Sequence, residues 1–237
     1  MNWLRARFER EGPGIPKDAP KKRGIALFGQ IIVREAWDLF KLNLMIVVFS
    51  LPIITIPATH AAATRICISM VRDENIYLWR DFWQAFRRYF KAATAWGLVS
   101  AAVLGLSGYA AFIYGQLAIV NFAFAAAATV CLTIWVFALA LTAQLFVLLV
   151  EKPDLAHSDL ARLAALATLS RPWTILGAFG FIASLWLLHI VFYPVSVFMP
   201  AAFNFSLATL ALTFSALKAS DKDHSQKPGR RPICETF

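Results

Sequence analysis

Residues 92–150 read AATAWGLVSAAVLGLSGYAAFIYGQLAIVNFAFAAAATVCLTIWVFALALTAQLFVLLV and contain no Asp, Glu, Lys or Arg. A second uncharged stretch covers residues 172–217. A helix that crosses a membrane needs about 20 mostly apolar residues, so each stretch is long enough for two crossings. Each stretch therefore predicts a helical hairpin, with turns near Gly115–Asn121 and Pro194–Asn204.

The overall composition also indicates that lipid is the solvent for most of this chain. Hydrophobic residues make up 59% of the sequence and charged residues only 16%, whereas about a quarter of a typical soluble domain is charged. The first 38 residues are polar, basic and Pro-rich, so we predict no cleaved secretory signal. We expect a basic arm over residues 1–24, a single transmembrane domain over 25–217, and a disordered basic tail over 218–237.

The segment before the first long uncharged stretch predicts two more crossings. Residues Ile25–Leu51 favour an interfacial helix that runs into the first span, and Pro52 interrupts it. Ile53–Val71 is barely long enough to cross and is either a short span or a re-entrant segment. The predicted fold is therefore an all-α polytopic membrane bundle of about six transmembrane helices in three hairpins, with amphipathic cytoplasmic helices. One of these short helices should cover Asp159–Ser170, capped by Ser158.

The clearest amphipathic pattern lies in Trp79–Lys91. Its aromatic side includes Phe82, Phe86 and Phe90, and its polar side includes Arg80, Arg87 and Arg88. Apolar spacing of three, four and seven is typical of a two-faced helix. We expect the aromatic side to face acyl chains and the arginines to face phosphates, which would make this a docking or lipid-facing helix in the membrane plane. Packing on the protein's own cytoplasmic loops is the alternative.

The basic residues predict the orientation of the chain. Apart from Arg65, they lie in the N-terminal arm and first-helix entry, the loop after Val71, the connector Glu151–Arg171, or the C-terminal tail. With six crossings these regions share one side, which the positive-inside rule makes cytoplasmic. We expect a multi-pass protein of a bacterial inner membrane with both termini in the cytoplasm. The net charge of +9 then favours anionic membrane lipid rather than nucleic acid as a partner.

Ionisable side chains inside predicted spans are the first candidates for function, because they are costly there. They are Arg65, His60 and His189. Arg65 either snorkels to the cytoplasmic end of its helix or lines a polar cavity that binds an anionic group. His60 and Arg65 lie about 140° apart around a helix, so we expect no joint site. His189 is expected to be neutral and bonded to a neighbouring helix.

The sequence predicts no enzyme and no cofactor. The four histidines lack metal-ligand spacing, the predicted spans contain no carboxylate, and phosphate-loop and nucleophile-elbow motifs are absent from the sequence. Small residues favour close helix packing in two spans, although glycine is also simply common in membrane helices. They are Gly105, Gly108 and Ala111 in one span, and Gly177, Gly180 and Ser184 in the other.

One part of the sequence resembles a known family. Residues 42–94 contain Leu-Asn-Leu at 42–44, Ser-Leu-Pro-Ile-Ile-Thr-Ile-Pro-Ala at 50–58, Met-Val-Arg-Asp-Glu at 70–74, and Phe-Trp-Gln-Ala-Phe-Arg-Arg-Tyr-Phe-Lys-Ala-Ala-Thr at 82–94. This series resembles the YesL-like family of uncharacterised bacterial membrane proteins. The family pairs Asn-Leu with a Ser-Leu-Pro break, a Val-Arg-acidic end and an aromatic helix. The matching motif residues, to which the resemblance assigns a structural role, are Asn43, Pro52, Thr55, Pro57 and Arg72.

The resemblance implies an accessory role, because members of that family are associated with carbohydrate uptake and often lie beside binding-protein-dependent sugar importers. It implies no catalytic residues. We therefore expect a non-catalytic accessory or assembly component linked to a carbohydrate importer of the ABC type, with importer subunits as partners. A small independent transporter or channel is the alternative. The sequence predicts neither a substrate nor an oligomeric state.

Overall fold

The computed structural model describes residues 24–170, 172–194 and 197–225. Every regular element in those ranges is helical. A 3-10 turn at Ile53–Thr55 and a π-helical turn at Pro200–Asn204 precede the third and the last helix. The eight helices of the described ranges are α1 (Ile25–Arg34), α2 (Ala36–Phe49), α3 (Ile56–Arg72), α4 (Leu78–Val120), α5 (Phe124–Glu151), α6 (His157–Ser170), α7 (Pro172–Val191) and α8 (Phe205–Ser225).

Five segments of the described chain are long and apolar enough to cross a membrane: Ile53–Arg72, α4, α5, α7 and Pro200–Leu217. This finding indicates a membrane protein. The remaining crossing was predicted for Ile25–Leu51, where the structure has two shorter helices that meet at Glu35. Neither α1 nor α2 is long enough by itself, so the count of six spans and their arrangement as three hairpins remain predictions.

Helix α3 lies at the centre of the packing and contacts α4, α5 and α8. Four of its alanines, Ala58, Ala61, Ala62 and Ala63, are completely buried. Small side chains let helix backbones approach closely, which is how helices gain dispersion energy where lipid removes the hydrophobic drive between them. The alanine-rich sequence of α3 therefore explains how three helices can pack around it.

The structure corrects the prediction of a separate amphipathic helix. Residues 79–91 are the first part of α4, which continues without interruption to Val120. The segment KAATAWG at 91–97 contains no proline and is rich in alanine, the strongest helix former, so nothing ends the helix there. The amphipathic part and the predicted span are therefore one helix.

The turns and the short connector helix were predicted with small errors. Helix α4 ends at Val120 and α5 begins at Phe124, as expected for the first hairpin. The second turn lies between Val191 and Phe205, also as expected. Helix α6 begins at His157, so Ser158 lies inside its first turn and is not its cap. The predicted arm over 1–24 falls almost entirely on residues 1–23, outside the described residues. Of the predicted tail over 218–237, residues 218–225 belong to α8, and residues 226–237 lie outside the described residues.

At three of the four glycines considered for close packing, the structure favours the alternative that glycine is simply common in membrane helices. A Cβ atom added at Gly105, Gly177 or Gly180 would meet nothing within 4 Å, and only at Gly108 would it approach another helix, at Trp135. The close approach is at Gly97 instead, where an added Cβ would lie 2.4 Å from the Pro57 Cγ. The absence of a side chain at Gly97 therefore lets α4 pack against the first turn of α3.

Candidate functional site

The proline break between α2 and α3 has its backbone satisfied by threonines. The carbonyl oxygen of Phe49 is at the end of α2, where no further helical N–H is available. Thr59 donates its hydroxyl to this oxygen at 3.2 Å, and the Thr55 hydroxyl lies within hydrogen-bonding distance of both Phe49 O and Pro52 O. An unpaired carbonyl costs several kcal/mol in lipid, so these hydroxyls stabilise the break.

Asn43 joins α2 to the start of α8. Its side chain is fully buried. The Asn43 Nδ2 donates to the carbonyl oxygens of Pro200 at 3.1 Å and Ala201 at 2.5 Å, and its Oδ1 accepts the backbone N–H of Ser206 at 2.9 Å. These backbone groups lie in the π-helical turn and at the start of α8, so one amide side chain bonds to both sides of the irregularity.

The end of α3 is held by charged residues of the Arg-Asp-Glu motif. Asp73 adopts the left-handed conformation (φ 59°, ψ 38°), and the N–H of Glu74 bonds the carbonyl of Ser69 at 3.0 Å. This is the Schellman arrangement that ends helices. Arg34 of α1 donates to the carbonyl of Met70 at 3.0 Å and pairs with Asp73 at 2.8 Å, so a cation lies at the negative end of the helix.

Arg72, the first residue of that motif, reaches a different helix. Its Nη2 lies 3.0 Å from the Glu151 Oε1, at the end of α5. The arginine is exposed, whereas the Glu151 side chain is largely buried. Arg72 therefore connects the ends of α3 and α5 and offsets the charge of a partly desolvated carboxylate.

A polar cavity of about 410 Å³ lies between the last half of α3 and the first part of α4. Pockets that bind small molecules have volumes of about 300–1,000 Å³. The cavity is lined by three arginines, two carboxylates and several neutral polar groups: Arg65, Ser69, Glu74, Asn75, Arg80, Asp81, Gln84, Ala85, Arg88 and Tyr89. We treat it as the candidate functional site.

The carboxylates of this cavity already have partners. Glu74 Oε2 accepts a hydrogen bond from the Ser69 hydroxyl at 2.9 Å and lies 3.7 Å from the Arg65 Nη1. Asp81 accepts from the backbone N–H of Tyr77 at 2.9 Å and from the Arg80 Nε at 3.0 Å. With three guanidinium groups and two carboxylates, the cavity has one excess positive charge.

Arg65 lines the polar cavity, and its partner Glu74 lies just beyond the end of α3. His60 does not line this cavity. It lines an apolar cavity of about 610 Å³ between α2, α3 and α8, with its ring 5.2 Å from that of Phe146. The ring of His189 lies 6.2 Å from that of Trp186.

The phenylalanines on the aromatic side of residues 79–91 face inward, which corrects their predicted contact with acyl chains, whereas Trp79 on the same side is 64% exposed. Phe82 and Phe86 are buried, and their rings lie 5.3 and 5.6 Å from the ring of Phe49 on α2. Phe90 is partly buried, 5.6 Å from Phe86. The alternative of packing on the protein itself therefore describes these rings, and the reason is that Phe49 at the proline break offers them an aromatic surface.

The polar side of the same segment is exposed. Arg80 lies 4.2 Å above the ring of Tyr77, and Arg87 lies 4.5 Å above the ring of Trp83. Cation–π contacts of this kind hold an arginine in place while its N–H groups remain available to other acceptors. The exposed arginines are therefore partly ordered before any partner binds.

Sequence reasoning missed several residues of this region. Glu74 and Glu151 were noted only as helix ends, and Gly97 was not noted at all. A signal exists for Glu74, because a carboxylate directly after an apolar helix that contains Arg65 is its nearest available counter-ion. No comparable local signal connects Arg72 with Glu151, which is 79 residues away.

Comparison with known proteins gives one match. Residues 31–109, about a third of the chain, match the model of a family described as "Protein of unknown function, DUF624". The matched region contains Asn43, the proline break and every residue of the polar cavity. It also contains residues 42–94 and is consistent with their resemblance to YesL-like proteins. No curated protein and no solved structure matches the chain. No group of three or more His, Cys, Asp or Glu in the described ranges is placed to hold a metal ion.

Proposed function

We propose that this chain is a non-catalytic accessory or assembly component of a bacterial membrane transport system, and that the exposed basic side of residues 80–91 contacts its partner. The main support is the division of this segment: its aromatic side is used internally against Phe49, whereas Arg87 and Lys91 are exposed and make no ion pair with any described residue. Arginine on a rigid helix is well suited to binding carboxylates of another protein.

The link to carbohydrate import of the ABC type rests on the resemblance to YesL-like proteins alone. The family match to residues 31–109 is consistent with that resemblance and names no function. In this proposal the partners are importer subunits, and the chain itself transports nothing. The buried bonds of Asn43 and the packing of Phe82 support a rigid scaffold, because they fix α2, α4 and α8 to one another.

The test is affinity purification of the tagged chain from its own host in mild detergent, followed by mass spectrometry. We expect importer permease or ATPase subunits to accompany the wild type and to be lost from the Arg87→Glu/Lys91→Glu double variant, since charge reversal turns attraction into repulsion. Lys152→Glu/Arg162→Glu is the matched control. This control changes the net charge by the same amount, but at Arg162 in α6 and at Lys152 just before α6. It should retain the partners. Loss of partners from both variants, or purification without importer subunits in every case, would count against the proposal.

A small independent transporter is the second candidate, supported by the polar cavity beside Arg65 and the cavity beside His60. Reconstitution of the purified chain into liposomes distinguishes the two. The accessory proposal predicts no uptake of labelled sugars by the chain alone. Uptake that is lost in Arg65→Gln but not in Arg87→Gln would favour the transporter instead.

We also propose that the protein lies in the bacterial inner membrane with both termini in the cytoplasm. The support is the distribution of Lys and Arg described above. A reporter that is active only in the periplasm should be active when fused after Asn121 or Asn204 and inactive after Asp154. The opposite pattern would reverse the orientation, and activity at only one of the two turns would reduce the number of crossings.

A further inference from the structure

The polar cavity between α3 and α4 has two properties that an ordinary surface ion-pair network lacks. It has a defined volume of about 410 Å³, and one of its cations is not neutralised. Arg88 makes no ion pair and no hydrogen bond with any described residue, and its guanidinium lies 5.6 Å from the ring centre of Tyr89. Tyr89 is buried and donates its hydroxyl to the carbonyl of Val150 at 3.3 Å, so the surface beneath Arg88 is fixed.

A second guanidinium of the cavity is only loosely engaged. Arg65 lies 3.7 Å from Glu74, which is longer than a charge-assisted hydrogen bond of about 2.7–2.9 Å. Glu74 takes its short bond from Ser69 instead. Arg65 therefore retains N–H groups that are directed at neither a carboxylate nor a carbonyl of the described chain.

The chemistry of these two residues favours a phosphate-type anion. A guanidinium presents a planar fork of donors that binds two oxygens of a phosphate at once, and it remains charged at every physiological pH. A phosphate can accept from several donors, whereas both lining carboxylates would repel it. The cavity keeps those carboxylates occupied by Ser69, Tyr77 and Arg80, so their lone pairs are directed to donors within the protein.

We propose that this cavity binds a phosphate-bearing anion, with Arg88 and Arg65 as its principal ligands and Asn75 and Gln84 as neutral donors at its edge. The proposal does not rest on the proposed accessory function, because it concerns the α3-facing side of the segment and not the side that carries Arg87 and Lys91. The anion is either the headgroup phosphate of an anionic lipid or a free phosphate compound, and both present the same oxygens.

The test uses the full chain in lipid nanodiscs and two arms. In the first arm, nanodiscs of phosphatidylcholine are titrated with inorganic phosphate, and the thermal unfolding midpoint is compared with that in chloride at equal ionic strength. In the second arm, nanodiscs contain phosphatidylcholine and phosphatidylglycerol in equal parts, and native mass spectrometry counts the phosphatidylglycerol retained after transfer to detergent. The variants are Arg88→Gln and Arg65→Gln, and Arg87→Gln is the matched control.

We expect the wild type to bind the anion in at least one arm. The affinity of Arg88→Gln for that anion should be about tenfold lower, which corresponds to the loss of one charge-assisted bond. Arg87→Gln removes the same charge from the adjacent position, outside the cavity lining, and should bind the anion as the wild type does.

Binding in the first arm identifies a free phosphate compound as the ligand, and binding in the second arm identifies a lipid headgroup. Absence of binding in both arms, or equal weakening in Arg87→Gln and Arg88→Gln, overturns the proposal. Since Arg88 is exposed, its variant folds even if Arg65→Gln does not.

Discussion

The two halves of α4 have similar helical geometry and opposite surroundings. Before Gly97, the helix carries the buried residues Phe82, Ala85, Phe86, Tyr89 and Ala93. After it, none of the described residues 98–120 is buried, and the facing residues 124–137 of α5 are not buried either. We call residues 78–96 the inner half of α4 and residues 98–120 its outer half. Hydrophobic side chains of the inner half pack against other helices, whereas those of the outer half lie on the surface of the molecule.

The most apolar window of α4 is entirely unburied and so lies in the outer half, yet all buried residues of α4 and its part of the polar cavity lining belong to the inner half. Hydropathy therefore measures compatibility with lipid and does not indicate where a helix packs on the rest of the protein.

The largest expected effect is loss of the buried aromatic contact. Phe82→Ala should reduce the free energy of unfolding by about 3–5 kcal/mol, because a fully buried ring is replaced by a cavity. Phe112→Ala, on the outer half with 62% of its surface exposed, should change it by less than about 0.5 kcal/mol. Titration with sodium dodecyl sulfate, followed by circular dichroism, measures both values. Equal effects would remove the distinction between the halves.

The second-largest loss of stability is expected at the buried amide of Asn43. Asn43→Leu should cost about 2–3 kcal/mol, because it leaves the carbonyls of Pro200 and Ala201 and the N–H of Ser206 without their partner. Asn121→Ala removes a single exposed bond to the N–H of Ala123 in the outer turn and should cost about 1 kcal/mol or less. The same titration ranks them, and a larger loss in Asn121→Ala would contradict the structure.

Glycine substitutions sharpen the boundary between the halves. Gly97→Ala introduces a Cβ 2.4 Å from the Pro57 ring and should destabilise the protein by about 1–3 kcal/mol, despite the better helix propensity of alanine. Gly105→Ala points into open space and should stabilise it by up to about 1 kcal/mol. We therefore expect the two substitutions to change the free energy of unfolding in opposite directions. If both variants are more stable than the wild type, α3 and α4 do not approach as closely as described.

The smallest effect is expected from the exposed ion pair at the helix ends. Arg72→Gln should cost about 0.5–1 kcal/mol, since the arginine is exposed and only Glu151 is partly desolvated. A double variant with Glu151→Gln should lose no more than the single one, because the isolated carboxylate is then also removed. A strictly additive loss, measured by unfolding in detergent, would show that the two side chains do not interact.

The membrane class, the helical fold and both turns could be predicted from the sequence, because uncharged stretches such as 92–150 and their turn residues are local signals. The start of the first helix at Ile25 was also predicted, whereas the helix boundaries at Glu35 and His157 were not, since small kinks and helix ends depend on tertiary contacts. The direction of the aromatic side of residues 79–91 was wrong for a physical reason. Amphipathicity shows that two faces differ, but a helix that packs on protein and one that packs on lipid have the same pattern.

In the candidate site, too, residues with a local sequence signal were predicted, whereas their partners far away in the sequence were not. Arg65 was predicted from its own cost in an apolar helix, and the motif residues Asn43, Pro52, Thr55, Pro57 and Arg72 from a family resemblance. The partners that give these residues their structural contacts are distant in sequence: Pro200 for Asn43, Gly97 for Pro57 and Glu151 for Arg72. No single-sequence pattern pairs residues across such distances.

The position of Asn43 has a consequence for biosynthesis. Its carbonyl partner Pro200 follows 157 residues later in the chain, which at translation rates of about 5–20 residues per second delays pairing by roughly 8–30 s. During that interval the Asn43 amide is without its final partners. The attachment of α2 to the start of α8 can therefore form only after residues 200–206 have been synthesised.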